Sequence, residues 1–241
     1  VWKMHYAYSF RVFDKITFAS DFIRDEAERI VGNNDKKYVT LRNPLPKVVT
    51  PSSKERSNIR QSLGISAEEI ILGNCGQLIE RKRFDVFIKV LAHLTVTYPK
   101  ITFKAIIAGD GEKKGELVKL AEQLCVNDKI VWLGWQRDMQ GFYSSIDVLL
   151  FNTDWDAFPT TPLEAMNYEI PVVASAIHSG LGEAIDHGVN GYLIHEHNVE
   201  KLSLFVYEAV TDKENKFGIG GRETVQTVSY THLTLPTNRE V

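Results

Sequence analysis

The sequence predicts an α/β protein organised on a doubly wound parallel sheet. Three observations carry that expectation. From residue 70 onward, apolar runs of strand length alternate with segments whose apolar residues recur at helical spacing. Glycines stand directly behind three of those runs, at Gly76, Gly109 and Gly134, where a strand gives way to a loop. Residues 146–151 and 170–175 read as buried strands flanking a loop and a helix, which is a βαβ unit.

Taken in order, residues 15–19 read as a strand, and Ser20 or Asp21 caps a helix to about Val31. That helix carries Phe22, Ile23, Ala27 and Ile30 on its apolar face. Residues 37–41 form a second short strand. Residues 43–57, with Pro44, Pro46 and Pro51, have the composition of a linker. The strand at 70–76 leads through a polar loop, 77–83, into a helix marked by Phe84, Phe87, Ile88, Leu91 and Leu94. The strand at 103–108 ends in Gly109, Asp110 and Gly111, and Leu117, Leu120, Ala121 and Leu124 mark the next helix. Gly134 closes a strand at 130–133. After the βαβ unit come a glycine-rich loop at 179–182, a short strand at 191–194 and a helix at 199–211. Residues 216–221 break the helical pattern. The last thirteen, 229–241, show neither period nor core and are expected to be foreign to the fold.

Composition narrows the function. Hydrophobic content of 44% and charged content of 24% are those of an ordinary globular chain. A net charge of −3 supplies no electrostatic reason for nucleic acid to be the partner. No apolar run approaches the roughly 20 residues of a membrane span, and no signal peptide is apparent. Cys75 and Cys125 are isolated, as reduced cysteines of a cytoplasmic protein are. His195 and His197 lack acidic or sulfur partners at ligand spacing, so no metal is expected. The absence of an initiator methionine suggests a fragment.

The chemistry is expected at residues 155–166. Asp156 and Glu164 stand eight positions apart with Pro159 and Pro162 between them. A helix from Thr161 onward carries Glu164 and leaves Asp156 on the preceding loop. Pro162 suits its first turn and Thr160 or Thr161 its cap. Unpaired amides at such a start, with the helix dipole, form a phosphate-sized anion site. By spacing alone, the stretch is equally compatible with a capped helix bearing surface acids. Gly76 and Gln77 after the first strand, followed by Arg81, Lys82 and Arg83, place a lysine within reach of a diphosphate, or else form a solvated basic loop. A Gly-x-Gly-x-x-Gly fingerprint is absent after any strand, which argues against a dehydrogenase.

In sequence, these signals resemble the donor-binding half of glycosyltransferase family 4, in the two-Rossmann-domain GT-B fold. The matching residues are Gly76, Gln77, Leu78 and Lys82; 107–112; 131–134; 146–149; Asp156 to Pro159 leading to Leu163, Glu164, Ala165 and Met166; 171–175; Glu183; and 188–193. The resemblance implies that residues 1–46 are a remnant of the acceptor domain and crossover, and that 47–228 bind the donor. It implies transfer of a hexose or N-acetylhexosamine, with retention and without a cofactor, from a nucleotide-diphosphate sugar to a glycan or lipid-linked acceptor. Asp156 and Lys82 then act at the reacting centre. Gly76, Gln77, Arg81, Gly109, Asp110, Gly111, Gly134, Ala157, Phe158, Pro159, Thr160, Thr161, Leu163 and Glu164 line the donor, with Glu164 on the ribose hydroxyls. The loop from Gly134 to Asp138 lines the base. Peripheral membrane contact, at the inner face, falls to the missing domain.

Four positions depart from the family pattern. Gln77 replaces an arginine, and Asp156 replaces a glutamate, shortening its reach by about 1.5 Å. Ala157 and Glu169 stand where glycine is usual, so a close approach or a positive φ is in question at both. The alternative is a non-catalytic nucleotide-sugar-binding module descended from such an enzyme.

Overall fold

The structure, a computed structural model, describes Tyr8 and residues 12–31, 37–46, 48 and 50–230. Its centre is a six-stranded, all-parallel sheet in the order β5-β4-β3-β6-β7-β8, built from β3 (Ile70–Cys75), β4 (Phe103–Ala108), β5 (Ile130–Gly134), β6 (Val148–Asp156), β7 (Val172–Ser179) and β8 (Tyr192–Ile194). The chain winds outward from β3 in one direction and from β6 in the other, so the order reverses between these two strands. At such a switch point the flanking loops diverge and leave a crevice at the strands' carboxyl ends.

Side chains alternate across the sheet as the period of a strand requires. Ile71, Cys75, Ile106, Leu149, Phe151, Val172 and Ala174 enter one core, with Phe142, Tyr143, Leu163 and Met166 from the helices above. Leu72, Ala105, Ile107, Val148, Leu150 and Val173 enter the other, with Phe87, Leu91, Leu94, Leu202 and Val206 below. Both faces are therefore covered, and the strands read as continuous apolar runs because both sides of each are buried. Three helices lie on the second face: α3 (Phe84–Thr97), α4 (Lys114–Gln123) and α7 (Val199–Thr211). Leu117 and Ala121 of the expected α4 stripe are buried, whereas Leu124 is exposed beyond the helix end.

A smaller unit precedes the sheet. Strands β1 (Ile16–Phe18) and β2 (Tyr38–Thr40) pair in parallel, with α1 (Asp21–Val31) between them. Ala27 of α1 packs on Phe18 and Tyr38, but Ile30 is exposed, narrower than the expected stripe. The unit is tied to the main sheet by charge. Glu183 accepts hydrogen bonds from the Asp21 and Phe22 amides, at 3.2 and 2.8 Å, and Arg42 Nη2 bridges Glu183 and Asp21 at 2.5 and 2.9 Å.

Three sequence expectations need correction. The linker at 43–57 is half helix: α2 (Ser53–Ser62) begins with a reciprocal capping box between Ser52 and Glu55, an S-x-x-E pattern that the prolines had obscured. The region at 216–221 is not broken but opens α8 (Lys216–Tyr230). Its glycines serve close packing. A Cβ at Gly218 would lie 2.1 Å from the Glu169 carbonyl, and one at Gly221 would lie 3.1 Å from Met166. Ser229 and Tyr230 therefore end a helix, while 231–241 lie outside the described residues. Finally, β6 is longer than the apolar run that announced it, pairing with β7 as far as Asp156 against Ser179.

Candidate functional site

The crevice at the switch point is built from backbone first. The turn after β3 lies directly on the turn after β4: the Gly76 amide donates to Ala108 O at 2.9 Å, and Leu78 N donates to Asp110 O at 3.0 Å. A Cβ at Gly109 would stand 1.9 Å from Gly76 O, and one at Gly111 2.4 Å from Leu78 O. Those two glycines are thus demanded by chain meeting chain. Gly76 differs: its φ of 147° also favours glycine, but the space where a Cβ would project is open. Its backbone faces the crevice.

The basic loop condenses into a single turn at residues 80–82, pinned to β6 where Thr153 Oγ1 donates to Arg81 O at 3.1 Å. Lys82 Nζ reaches Asp156 Oδ2 at 2.6 Å, both side chains under one-fifth exposed, and lies 5.4 Å from the centre of the Phe151 ring. The expected lysine and first acid thus meet, although they are 74 positions apart. Arg81 is half-exposed and comes within 3.9 Å of the same carboxylate. Arg83 turns away, its backbone left-handed at φ 46° and its guanidinium bonded to Asp85 and Asp154. Of the two arginines, only Arg81 is positioned to compensate for Gln77, which is exposed on the crevice wall.

Beyond Asp156 the chain enters α6 (Thr160–Asn167). Asp156 itself sits on the end of β6 instead of in a loop, because β7 continues to pair with it. The helix starts one residue earlier than expected, and neither Thr160 nor Thr161 caps it. Pro159 occupies the cap position and no side chain satisfies the first-turn amides. Phe158 and Leu163 are buried in the core, so only their backbone can face a ligand. Ala157 needs no positive φ; its carbonyl accepts from Ser20 Oγ at 2.8 Å and from the Gly180 amide at 3.1 Å. Glu169 does take a positive φ, 59°, at the end of α6.

Glu164 faces the crevice from the middle of α6. Its Oε2 accepts a 2.6 Å hydrogen bond from Tyr143, on the one-and-a-half-turn helix α5 (Gln140–Ser145). The crevice, about 520 Å³, is lined by Gly76, Gln77, Gly109, Asp110, Thr161 and Glu164 together with Trp135, Gln136 and Met139. Lys82 stands behind this wall: Lys82 and Glu164 are both close enough to Cys75 to act on its thiol electrostatically. Burial raises that thiol to about 11, so it is neutral. A second hollow of about 420 Å³ adjoins the first across Glu164 and Met139, and reaches Tyr143, Tyr168 and Pro46.

Sequence reasoning missed one contributor. Tyr143 packs in the core, but its hydroxyl had no sequence signal, because its partner lies 21 positions away on another helix. Trp135, within the 134–138 loop that the family resemblance assigns to the base, is 68% exposed at the crevice rim. His197 bonds Asp154 at 2.8 Å and Ser175 at 2.6 Å, and His195 bonds the Ala176 carbonyl at 2.8 Å. Among the described residues no three His, Cys, Asp or Glu side chains are grouped to hold a metal ion, and no helix is long and apolar enough to cross a membrane.

A crevice at the switch point of a doubly wound parallel sheet is the arrangement of a Rossmann-like domain of GT-B type. The closeness in fold to a solved structure agrees: the Anabaena protein HepE, in complex with UDP and glucose, superposes with a TM-score of 0.84 at 20% identity, over 96% of this chain and 65% of that one. The chain belongs to the glycosyl transferases group 1 family, whose pattern it matches over residues 55–223. Relatives include an uncharacterised glycosyltransferase of Methanocaldococcus jannaschii, 30% identical across 70% of this chain and 43% of that protein. Another is the N-acetyl-alpha-D-glucosaminyl L-malate synthase of Bacillus anthracis, 23% identical across 87% and 53%. The chain spans about half the length of these curated relatives.

Proposed function

We propose that this chain is the donor-binding half of a retaining glycosyltransferase of the family 4 type, transferring a hexose or N-acetylhexosamine from a nucleotide-diphosphate sugar to a glycan or lipid-linked acceptor. The observation that carries the reading is the meeting of the uncapped start of α6 and Glu164 around the open Gly76 backbone, with Lys82 paired to Asp156 behind that wall. In this reading Lys82 binds the donor diphosphate, joined by Arg81, and the amides of residues 157–163 meet phosphate oxygens and sugar hydroxyls. Glu164 accepts from the ribose, and residues 134–138, with Trp135 at the rim, line the base. Asp156 stands beside the transferred sugar. As the bond from the anomeric carbon to the diphosphate breaks, negative charge grows on the leaving oxygen. A lysine and a helix N-terminus in a partly dry crevice stabilise that charge without a metal.

Residues 1–46 belong, in this reading, to the end of an acceptor-binding domain and the crossover from it. The chain alone binds donor but turns over little, and the whole enzyme works in the cytoplasm, at the inner face of the membrane. The HepE complex with UDP and glucose, and the N-acetylglucosaminyl relative, support the donor class. A non-catalytic binding module is the second reading, favoured by Gln77 and by the 2.6 Å pairing that occupies Lys82 with Asp156. The test is sugar transfer by a longer protein carrying a complete acceptor half, with and without Asp156→Ala. The enzymatic reading expects transfer that the substitution reduces at least tenfold, about 1.4 kcal/mol of barrier. Transfer by neither leaves the binding module, and equal transfer by both removes Asp156 from the reacting centre.

A further inference from the structure

We propose that Tyr143 is a positioning residue for Glu164, deciding which carboxylate oxygen meets a bound ribose; the inference rests on the ribose reading above. Tyr143 is 2% exposed, its ring stacked on Tyr168 with centroids 5.2 Å apart and set edge-on to Phe142 at 5.1 Å. The ring is locked by packing, and the hydroxyl is aimed by the ring. Burial, reinforced by the neighbouring Cys75 and Glu164, pushes the phenol far above its ordinary value, so the hydroxyl stays protonated and donates to the carboxylate. Cys75 Sγ lies 3.6 Å from the same hydroxyl.

Glu164 needs such an anchor because of where it stands. It is the shared wall of two adjoining hollows, one bounded by Gly76 and Gly109 and the other by Tyr168 and Pro46. An unanchored glutamate has room to swing between them. Among the described residues its Oε1 has no hydrogen-bond partner, and it is not sealed from solvent, while Oε2 is tied to Tyr143. The bond therefore leaves one oxygen, in a fixed direction, to accept from vicinal hydroxyls. Prepaying that orientation is worth affinity, since a mobile side chain must be frozen on binding.

Tyr143→Phe removes the hydroxyl and keeps the ring packing. Calorimetric titration of the full chain would use uridine diphosphate and its 2′,3′-dideoxy analogue, which offers nothing to Glu164. The expected result is about a tenfold loss for uridine diphosphate, with the dideoxy analogue unchanged and so serving as the check on folding. In a Glu164→Ala background the tyrosine substitution should add nothing, because it acts through the glutamate. Equal losses on both nucleotides would make Tyr143 a packing residue only and overturn the inference, as would an unchanged ribose preference in Tyr143→Phe when Glu164→Ala abolishes it. If Glu164→Ala leaves that preference intact, or wild type binds no uridine diphosphate, the ribose reading falls and takes the inference with it.

Discussion

Lys82 and Asp156 pair at 2.6 Å with little exposure, so each is half of the other's solvation. A diphosphate entering the crevice competes for the lysine, and its two negative charges must outweigh one carboxylate. Lys82→Ala should therefore weaken a nucleoside diphosphate by at least tenfold while leaving the nucleoside alone nearly unaffected, measured by calorimetry. Equal losses for the two ligands would remove Lys82 from the diphosphate site. Of the residues at this rim, those with local signals were legible in sequence. Gly76, Lys82, Asp156 and Glu164 all stand at the end of a predicted strand or in the loop or helix that follows one. Tyr143 was not, because a hydroxyl's partner is set by how two helices pack. The direction of the Arg83 side chain was hidden too, since one of its partners, Asp154, lies 71 positions away.

At the scale of elements, α6 ends in a Schellman arrangement: Ile170 N donates to Ala165 O and Glu169 N to Met166 O, both at 3.0 Å. Glu169 sits at the left-handed position of that motif and recovers part of the strain through Arg222, at 2.6 Å. The left-handed penalty is about 1 kcal/mol, and a partly exposed ion pair is worth less. Glu169→Gly should thus raise the melting temperature by about 1–3 °C, and a fall would show that the Arg222 pair dominates. The start of α3 holds a second test. Burial alone would raise the Asp85 carboxyl, but hydrogen bonds from Arg83 and Lys89 hold it at about 2, below the ordinary 3.8. The folded value is the lower one, so its stabilisation is complete above about pH 4 and is lost as pH falls through about 2. Asp85→Asn should cost about 1–2 kcal/mol at neutral pH and flatten the acid unfolding limb between those values; an unchanged limb would contradict it. Helix α3 was plain in sequence from its apolar spacing. Helix α8 was not, because Gly218 and Gly221 look like breakers until Glu169 and Met166 are seen against them.

The whole molecule depends on how the β1–α1–β2 unit docks. A two-stranded parallel sheet has little stability by itself, and Glu183 fastens this one by taking the free amides at the start of α1 and the Arg42 guanidinium. Ser20 adds a bond to Ala157 O, so the docked unit touches the loop that follows Asp156. Glu183→Ala should strand those donors, at about 1–3 kcal/mol. It should open the chain to limited proteolysis near residues 43–52 while the β3–β8 sheet melts within a few degrees of wild type. Unaltered cleavage would show that the latch contributes little.

The order of β3 to β8 with α3, α4, α6 and α7 between and after them, the two-sided burial of the sheet and the place of the site residues in chain order were determined by the sequence alone, because apolar period and glycine position are local properties of a chain. Tertiary structure decided what those residues meet. Lys82 finds Asp156, Tyr143 finds Glu164 and Glu183 finds α1 only once β3 and β6 lie side by side, because contacts between side chains 20 to 160 positions apart are set by sheet order and packing, to which local sequence is blind.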